Sequence, residues 1–394
     1  MFVQHVACFF CDRRYAADQS LNTCDCGKSL RVAYDLNRLR KAVNPADFAG
    51  RCRGMWRFRE VLPLSSGEEP VTLGEGDTPL IRTEALGKRL GVERLFVKDE
   101  SVNPTGSFKA RGMSAAVTMA RGFGHRRLYA PSAGNAGGAL AAYAAAAGLE
   151  ANVFVPADTP EVNVRECELF GARVHRVDGL IDRCGREAAR ACEEGRGFNV
   201  STLKEPYRIE GKKTLGYEIV EQLGWRFPDV IVYPTGGGAG LIGMHKAFEE
   251  IAALGWAGGS RPRFVVVQPA GCAPIVRAWA AGAETATPVE GAHTIASGLR
   301  VPSPFADALM LRVLKESRGT AVVVDDVQML SALREGAGVT GISFCPEGAA
   351  CIEAVRRLSE SRWLGVDETV VIFNTGAATK YLEVLRSVVA GGSS

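Results

Sequence analysis

The residue best placed for covalent chemistry is Lys109, the last of the run Asn103-Pro104-Thr105-Gly106-Ser107-Phe108-Lys109. It follows a strand-like apolar segment, RLFVKDE, and a compact Pro/Gly turn, so its side chain is expected at the mouth of a sheet. Burial there lowers the pKa of an amine and leaves it nucleophilic toward an aldehyde. Two further loops carry distinct chemistry. In Ser132-Ala133-Gly134-Asn135-Ala136-Gly137-Gly138 the small residues let a flat ligand come close, and Asn135 can donate to a phenolic oxygen. In Thr235-Gly236-Gly237-Gly238-Ala239-Gly240 successive N–H groups lead into the helix-like LIGMHKAFEEI, which suits a phosphate dianion. The spacing is not that of a dinucleotide fingerprint, and the Lys-Ser/Thr ending of a nucleotide-triphosphate loop is missing.

A different chemistry is expected near the start of the chain. Cys8-x2-Cys11 is followed after twelve residues by Cys24-x-Cys26-Gly27. Two close cysteine pairs can give four thiolates to a tetrahedral zinc ion, or can stand reduced in a small irregular cap. A zinc ion held by Cys8, Cys11, Cys24 and Cys26 would be structural, because four protein ligands leave no position for substrate. The five histidines are isolated, and neither a serine-histidine-aspartate set nor a paired-carboxylate set is assignable.

Stepping outward, short apolar runs alternate with helix-compatible stretches. RLFVKDE, RRLYAP, ANVFVPA, RVHRVDG, VIVYPTGGG, FVVVQPAG and VVIFNTGAATK read as strands, several of them running into glycine loops. The alanine-rich stretch Ala139 to Gly148 reads as a buried helix. This alternation predicts an α/β fold with parallel sheets covered on both faces, and ligands at the carboxyl ends of the strands. The polar connection 285–305 is expected at the cleft, and Gly54-Met55-Trp56-Arg57-Phe58 is expected to pack on the catalytic body. Lys and Arg total 47 against 44 Asp and Glu, so a net charge of +3 provides no global field for nucleic acid. The interspersed charges read as a solvated surface. The start of the chain lacks a basic n-region, its apolar stretch is broken by Gln4 and His5, and no run reads as a membrane span. The eleven cysteines are odd in number and mostly scattered, so a reducing cytoplasm is the simplest location and no membrane partner is expected.

Taken together, NPTGSFKARG, PSAGNAGG, EGKKT, PTGGGAG and FNTGAATK resemble the threonine synthase branch of the tryptophan-synthase-β-like, fold type II, pyridoxal-phosphate enzymes. The N-terminal cysteine pairs and GMWRFREVLPL resemble the same branch. The resemblance implies a two-domain α/β fold behind a small cysteine-rich cap. Residues 1–50 would form the cap and linker, 51–110 with 205–394 a large cofactor-binding domain, and 111–204 a smaller closing domain. It implies pyridoxal 5'-phosphate bound covalently by Lys109, which then carries protons. Asn135 would partner the cofactor's 3′-oxygen, Gly236, Gly237, Gly238, Ala239 and Gly240 its phosphate, and Thr375 its pyridine nitrogen. A neutral hydroxyl there tunes the electron sink differently from an aspartate. Ser132 and its loop would cap the substrate carboxylate or phosphate, and Arg208 would hold the substrate phosphate.

The lesser readings are a surface or interdomain salt-bridge residue for Arg208 and a turn cap for Thr375, while Lys212 and Lys213 either add positive potential to the cleft or stand in solvent. The reaction implied is O-phosphohomoserine and water to threonine and phosphate, on a small phosphorylated amino acid, in a homodimer. Related machinery serves β-replacement, as in cysteate synthase, and serine/threonine dehydration; a non-catalytic ligand-binding protein is the remaining class. Ala136, STLKEPYR and Gly238 depart from the branch's usual residues, which bears on the phosphate ester more than on the cofactor.

Overall fold

Apolar runs bounded by Gly and Pro become strands, and the strands sort into three sheets. The computed structural model describes residues 2–64 and 67–390. The largest sheet runs in the order Thr320–Val324, Arg263–Pro269, Val230–Pro234, Thr369–Asn374, Arg94–Asp99, Leu80–Arg82. Its strands are parallel except for the edge strand Leu80–Arg82. A second, all-parallel sheet orders Arg173–Val177, Glu150–Pro156, Arg127–Pro131 and Phe198–Asn199. The cap is a small antiparallel sheet of Arg14–Tyr15, Val3–Cys8 and Leu30–Tyr34.

Every residue of Val230–Pro234 and Thr369–Asn374 is buried, as central strands covered by helices on both faces require. One face packs on a core containing Phe48, Phe58, Tyr217, Phe248 and Phe264, the other on Leu86, Met329, Phe344, Ile352 and Leu358. The alanine-rich segment forms the helix Asn135–Ala146, whose small side chains lie in the core beneath the second sheet. Trp56 Nε1–H donates to Ser114 Oγ at 2.8 Å and to Glu75 Oε1 at 3.1 Å, which anchors the aromatic-basic segment to the body as expected. Among the described residues no helix is long and apolar enough to cross a membrane.

The even spread of charge did not reveal that several ionic groups are dry. Arg111, on the helix Lys109–Gly122, is fully buried between two carboxylates. Its guanidinium reaches Glu100 at 2.7 and 2.8 Å and Glu218 at 2.7 Å on both oxygens. Lys98 adds a 2.9 Å ion pair to Glu218. Burial by itself would push the Glu218 carboxyl up, but the charges of Arg111 and Lys98 outweigh it and hold the group far below the usual range. A second dry cluster joins Lys213 and Lys246 to Glu210 and Glu250, and Tyr34 of the cap donates to Glu210 at 2.7 Å. Lys213 is therefore a buried structural residue, not a solvated one.

Removing one member of a buried, fully bonded set strands the others. Arg111→Met should lower the unfolding free energy by about 3–5 kcal/mol, measured by urea denaturation of the cofactor-free chain. A loss below about 1 kcal/mol, the size of an exposed pair, would show the network to be dispensable.

Candidate active site

The carboxyl ends of four strands, at Asp99, Pro131, Pro234 and Asn374, are each followed by one of the loops singled out above. Backbone bonds knit two of them together. Phe108 N–H donates to Thr375 O at 3.1 Å and Ala377 N–H to Gly106 O at 2.8 Å, so Lys109 and Thr375 are held side by side. The turn before Lys109 needs left-handed backbone at both Thr105 and Gly106, with φ of 59° and 58°. Asn103 stabilises it: its side-chain amide donates to Glu100 Oε2 at 2.8 Å and accepts from Gly76 N–H at 3.0 Å.

These loops enclose a cavity of about 450 Å³ whose wall includes Lys109, Ser132, Asn135, Arg208, Gly236, Gly237, Gly238, Ala239, Gly240 and Thr375. Ten positions picked from five separate stretches of sequence thus meet at one place. The cysteine quartet lies elsewhere, in the cap. Burial, with the charge of Arg208 nearby, brings the Lys109 amine down to about 8, against an opposing pull from Glu347 and Cys345. Its Nζ stands 3.9 Å from the centre of the Phe108 ring.

The glycine loop is shaped for an anion. The 16-residue helix Ala239–Leu254 has Gly238 as its N-cap and no side chain bonded to its first N–H groups. Gly238 has φ of 83°, and a Cβ there would meet Met310 Sδ at 2.4 Å; one on Gly236 would meet Gly298 O at 2.5 Å. Only glycine leaves this cradle open. Arg208 donates from Nη1 to Val200 O at 2.8 Å, while its buried Nε has no partner and no carboxylate pairs with it among the described residues. The salt-bridge alternative for Arg208 is thereby set aside. Glu205, which could have paired with it, instead accepts the N–H groups of Tyr207 and Arg208 at the start of their helix.

Ser132 is committed within its own loop: its hydroxyl donates to Gly134 O at 2.7 Å and accepts from Gly137 N–H at 2.8 Å. Asn135 Nδ2 approaches Tyr381 Oη at 3.5 Å. Thr375 Oγ1 lies 3.7 Å from Cys345 Sγ, and burial followed by the charge of Glu347 pushes that thiol up to about 12, so the contact is between neutral groups. Lys212 also lines the cavity, so of its two readings the positive potential stands, and with it come Tyr233, Glu347 and Tyr381, which the sequence reading did not single out. Glu347 accepts from Gly298 N–H at 2.9 Å and from Tyr381 Oη–H at 2.8 Å, leaving its other oxygen buried without a partner. No motif marks Glu347 or Tyr381; the long connection 285–305, expected at the cleft, does supply part of this wall, from Ser297 to Phe305.

A buried amine with a lowered pKa, an uncapped glycine-lined helix start and a small-residue loop define a class that the family comparison also reaches. Residues 71–376 match the family described as pyridoxal-phosphate dependent enzyme, and the chain belongs to it. Within the family, it is 35% identical over 378 residues to a threonine synthase of Methanosarcina acetivorans, covering 95% of this chain and 92% of that one. A threonine synthase of Methanocaldococcus jannaschii is 32% identical over 374 residues, with 95% and 92% covered. The fold is shared with maize serine racemase at a TM-score of 0.66 and 22% identity, covering 80% of this chain and 93% of that structure. The cradle, the amine and the polar wall fit the cofactor these families use.

Lys109→Ala should fold and yet lose the visible absorbance that the cofactor shows when bound to the wild-type chain. In the wild type, cofactor capture needs the neutral amine, so its rate should climb as the pH rises through about 8 and then level off. An unaltered band in the variant would remove Lys109 from its role.

Proposed function

We propose that this chain is a threonine synthase-like lyase that converts O-phosphohomoserine and water to L-threonine and phosphate. The observation that carries the reading is the unpaired Arg208 guanidinium on the same cavity wall as Lys109 and apart from the glycine cradle in sequence, which provides for a second phosphate besides that of the cofactor. The names of the relatives at 32% and 35% identity support it.

The cofactor, when bound, supplies the electron sink that makes protons on the substrate's carbon chain acidic. Lys109 would hold the cofactor and, as a free amine, would take a proton from the α carbon and one from the β carbon, then return one to the γ carbon and one to the α carbon. Arg208 and the backbone around Ser132 bind and orient the ester as its γ carbon–oxygen bond breaks and phosphate leaves. Asn135 and Thr375 would hold the cofactor's ring, and Gly236 to Gly240 its phosphate. Water then adds as hydroxide at the β carbon, and its remaining proton ends on the departing phosphate. The segment 111–204 closes over the cavity and excludes bulk water, which keeps the single reacting water under control. The working form in this reading is a cytoplasmic homodimer.

The cap completes the proposal. The sulfurs of Cys8 and Cys26 are 3.6 Å apart, those of Cys11 and Cys24 3.6 Å, and those of Cys11 and Cys26 3.7 Å. Four sulfurs around zinc at ~2.3 Å stand about 3.8 Å from one another, so the quartet suits a structural ion. Phe10 N–H points at Cys8 Sγ and the Tyr15 hydroxyl at Cys24 Sγ, the kind of donors that support metal-bound thiolates.

Two measurements test these readings. Mass spectrometry of the pure, cofactor-loaded protein with O-phosphohomoserine should show threonine and an equal amount of phosphate. Unchanged substrate beside an intact visible band would overturn the reaction and turn attention to phosphoserine with sulfite. Metal analysis should find zinc at one ion per chain, and Cys8→Ser with Cys24→Ser should abolish it while leaving the cofactor band in place. Protein purified without chelator and found free of zinc would rule the ion out.

A further inference from the structure

The cavity wall holds a lysine, within the EGKKT motif, to which the proposed reaction gives no role. Lys212 is 1% exposed, lies four residues after Arg208 on the helix Tyr207–Gln222, and so shares its face. Its stem runs through a slot that glycine makes possible on two neighbouring helices. A Cβ on Gly112 would come within 3.1 Å of Lys212 Cε, and one on Gly243 within 3.0 Å of Lys212 Cβ. The ammonium emerges at the cavity, where it donates to Phe108 O and stands 4.0 Å from the centre of the same Phe108 ring that Lys109 touches.

Other buried lysines of this chain have carboxylates: Lys98 has Glu218, and Lys213 and Lys246 have Glu210 and Glu250. Lys212 has none within ion-pair distance among the described residues, and neither has Arg208 or Lys109. Of the acidic groups on the wall, Glu347 is bonded through one oxygen by Gly298 and Tyr381 and pairs with no cation, and Asp182 pairs with Arg186. Three basic groups are therefore gathered on one wall, with no carboxylate of the described residues at ion-pair distance from any of them. Burial, then the charges of Lys109 and Arg208, push the Lys212 amine well below its ordinary range, a cost that an arriving anion would reverse.

We infer that Lys212 is a phosphate-binding residue of this cavity, a second lysine whose ammonium takes a phosphate dianion alongside Arg208 and Lys109. The chemistry is that of a phosphate monoester, and two sources can supply it: the cofactor or the substrate. The second of these rests on the proposed reaction; the first does not.

Lys212→Met keeps a stem of similar length between the two glycines, and Lys212→Gln serves if the methionine variant fails to fold. For each, two affinities are compared with the wild type. One is that of cofactor-free protein for pyridoxal phosphate, read from visible absorbance. The other is that of cofactor-loaded protein for inorganic phosphate, read by calorimetry. Loss of a charge-assisted hydrogen bond should weaken at least one of them by about tenfold or more. Weaker inorganic phosphate with unchanged cofactor affinity assigns Lys212 to the substrate end; weaker cofactor binding assigns it to the cofactor phosphate. A folded variant with both affinities unchanged overturns the inference and leaves Lys212 as a clamp on the Phe108 carbonyl. Neither probe requires turnover, so a failure of the proposed reaction would be seen separately.

Discussion

A guanidinium with no access to water, bonded on both sides to carboxylates, sets the geometry from which the rest follows. Arg111 lies two residues after Lys109 on the same helix. Glu100, at the carboxyl end of the strand Arg94–Asp99, grips it from one side and Glu218, on the helix Tyr207–Gln222, from the other. The strand, the lysine-bearing helix and the Arg208-bearing helix are thereby locked to one another by bonds that are strong because they are dry. Glu100 also bonds Asn103, so the same carboxylate fixes the turn that aims Lys109. Such a set adds little net stability compared with an apolar core of equal volume, but it tolerates few alternative arrangements. For a site that must hold an amine in one place, that intolerance is the useful property.

The cavity has the opposite electrostatic design. The network around Arg111 balances its charges within the protein, whereas Lys109, Lys212 and Arg208 face the cavity without acidic partners. The uncapped start of the helix Ala239–Leu254 adds the positive end of its dipole. A chain with a net charge of only +3 thus concentrates positive potential in one enclosed volume. The Lys109 amine at about 8 is one consequence: crowding by burial and by Arg208 favours its neutral, nucleophilic form.

Much of this site was readable along the chain, for a physical reason. A run of N–H groups ahead of a helix, a left-handed turn after a strand and a small-residue loop are properties of a few consecutive residues. Gly236 to Gly240, Asn135 and Lys109 could therefore be named before any contact was known. Glu347 and Tyr381 could not, and Lys212 could be named but not placed. Lys212 and Lys213 are neighbours of the same type in EGKKT, yet one opens onto the cavity and the other is tied into carboxylates of two helices. Arg208 was likewise open between a ligand and a salt bridge until the position of Glu205 closed the second option.

The sequence by itself determined the parallel α/β architecture, the loops that end its strands and the class of ligand those loops accept. Each depends on local backbone chemistry and on apolar runs whose period needs no partner to be seen. The tertiary structure alone decided which charges are dry, which carboxylate neutralises which cation, and which basic groups face the cavity without a carboxylate at ion-pair distance. Those properties depend on segments far apart in the chain, as Lys98 and Glu218 or Ser107 and Gly376 are, and on the absence of water between them. Composition and spacing carry no record of either.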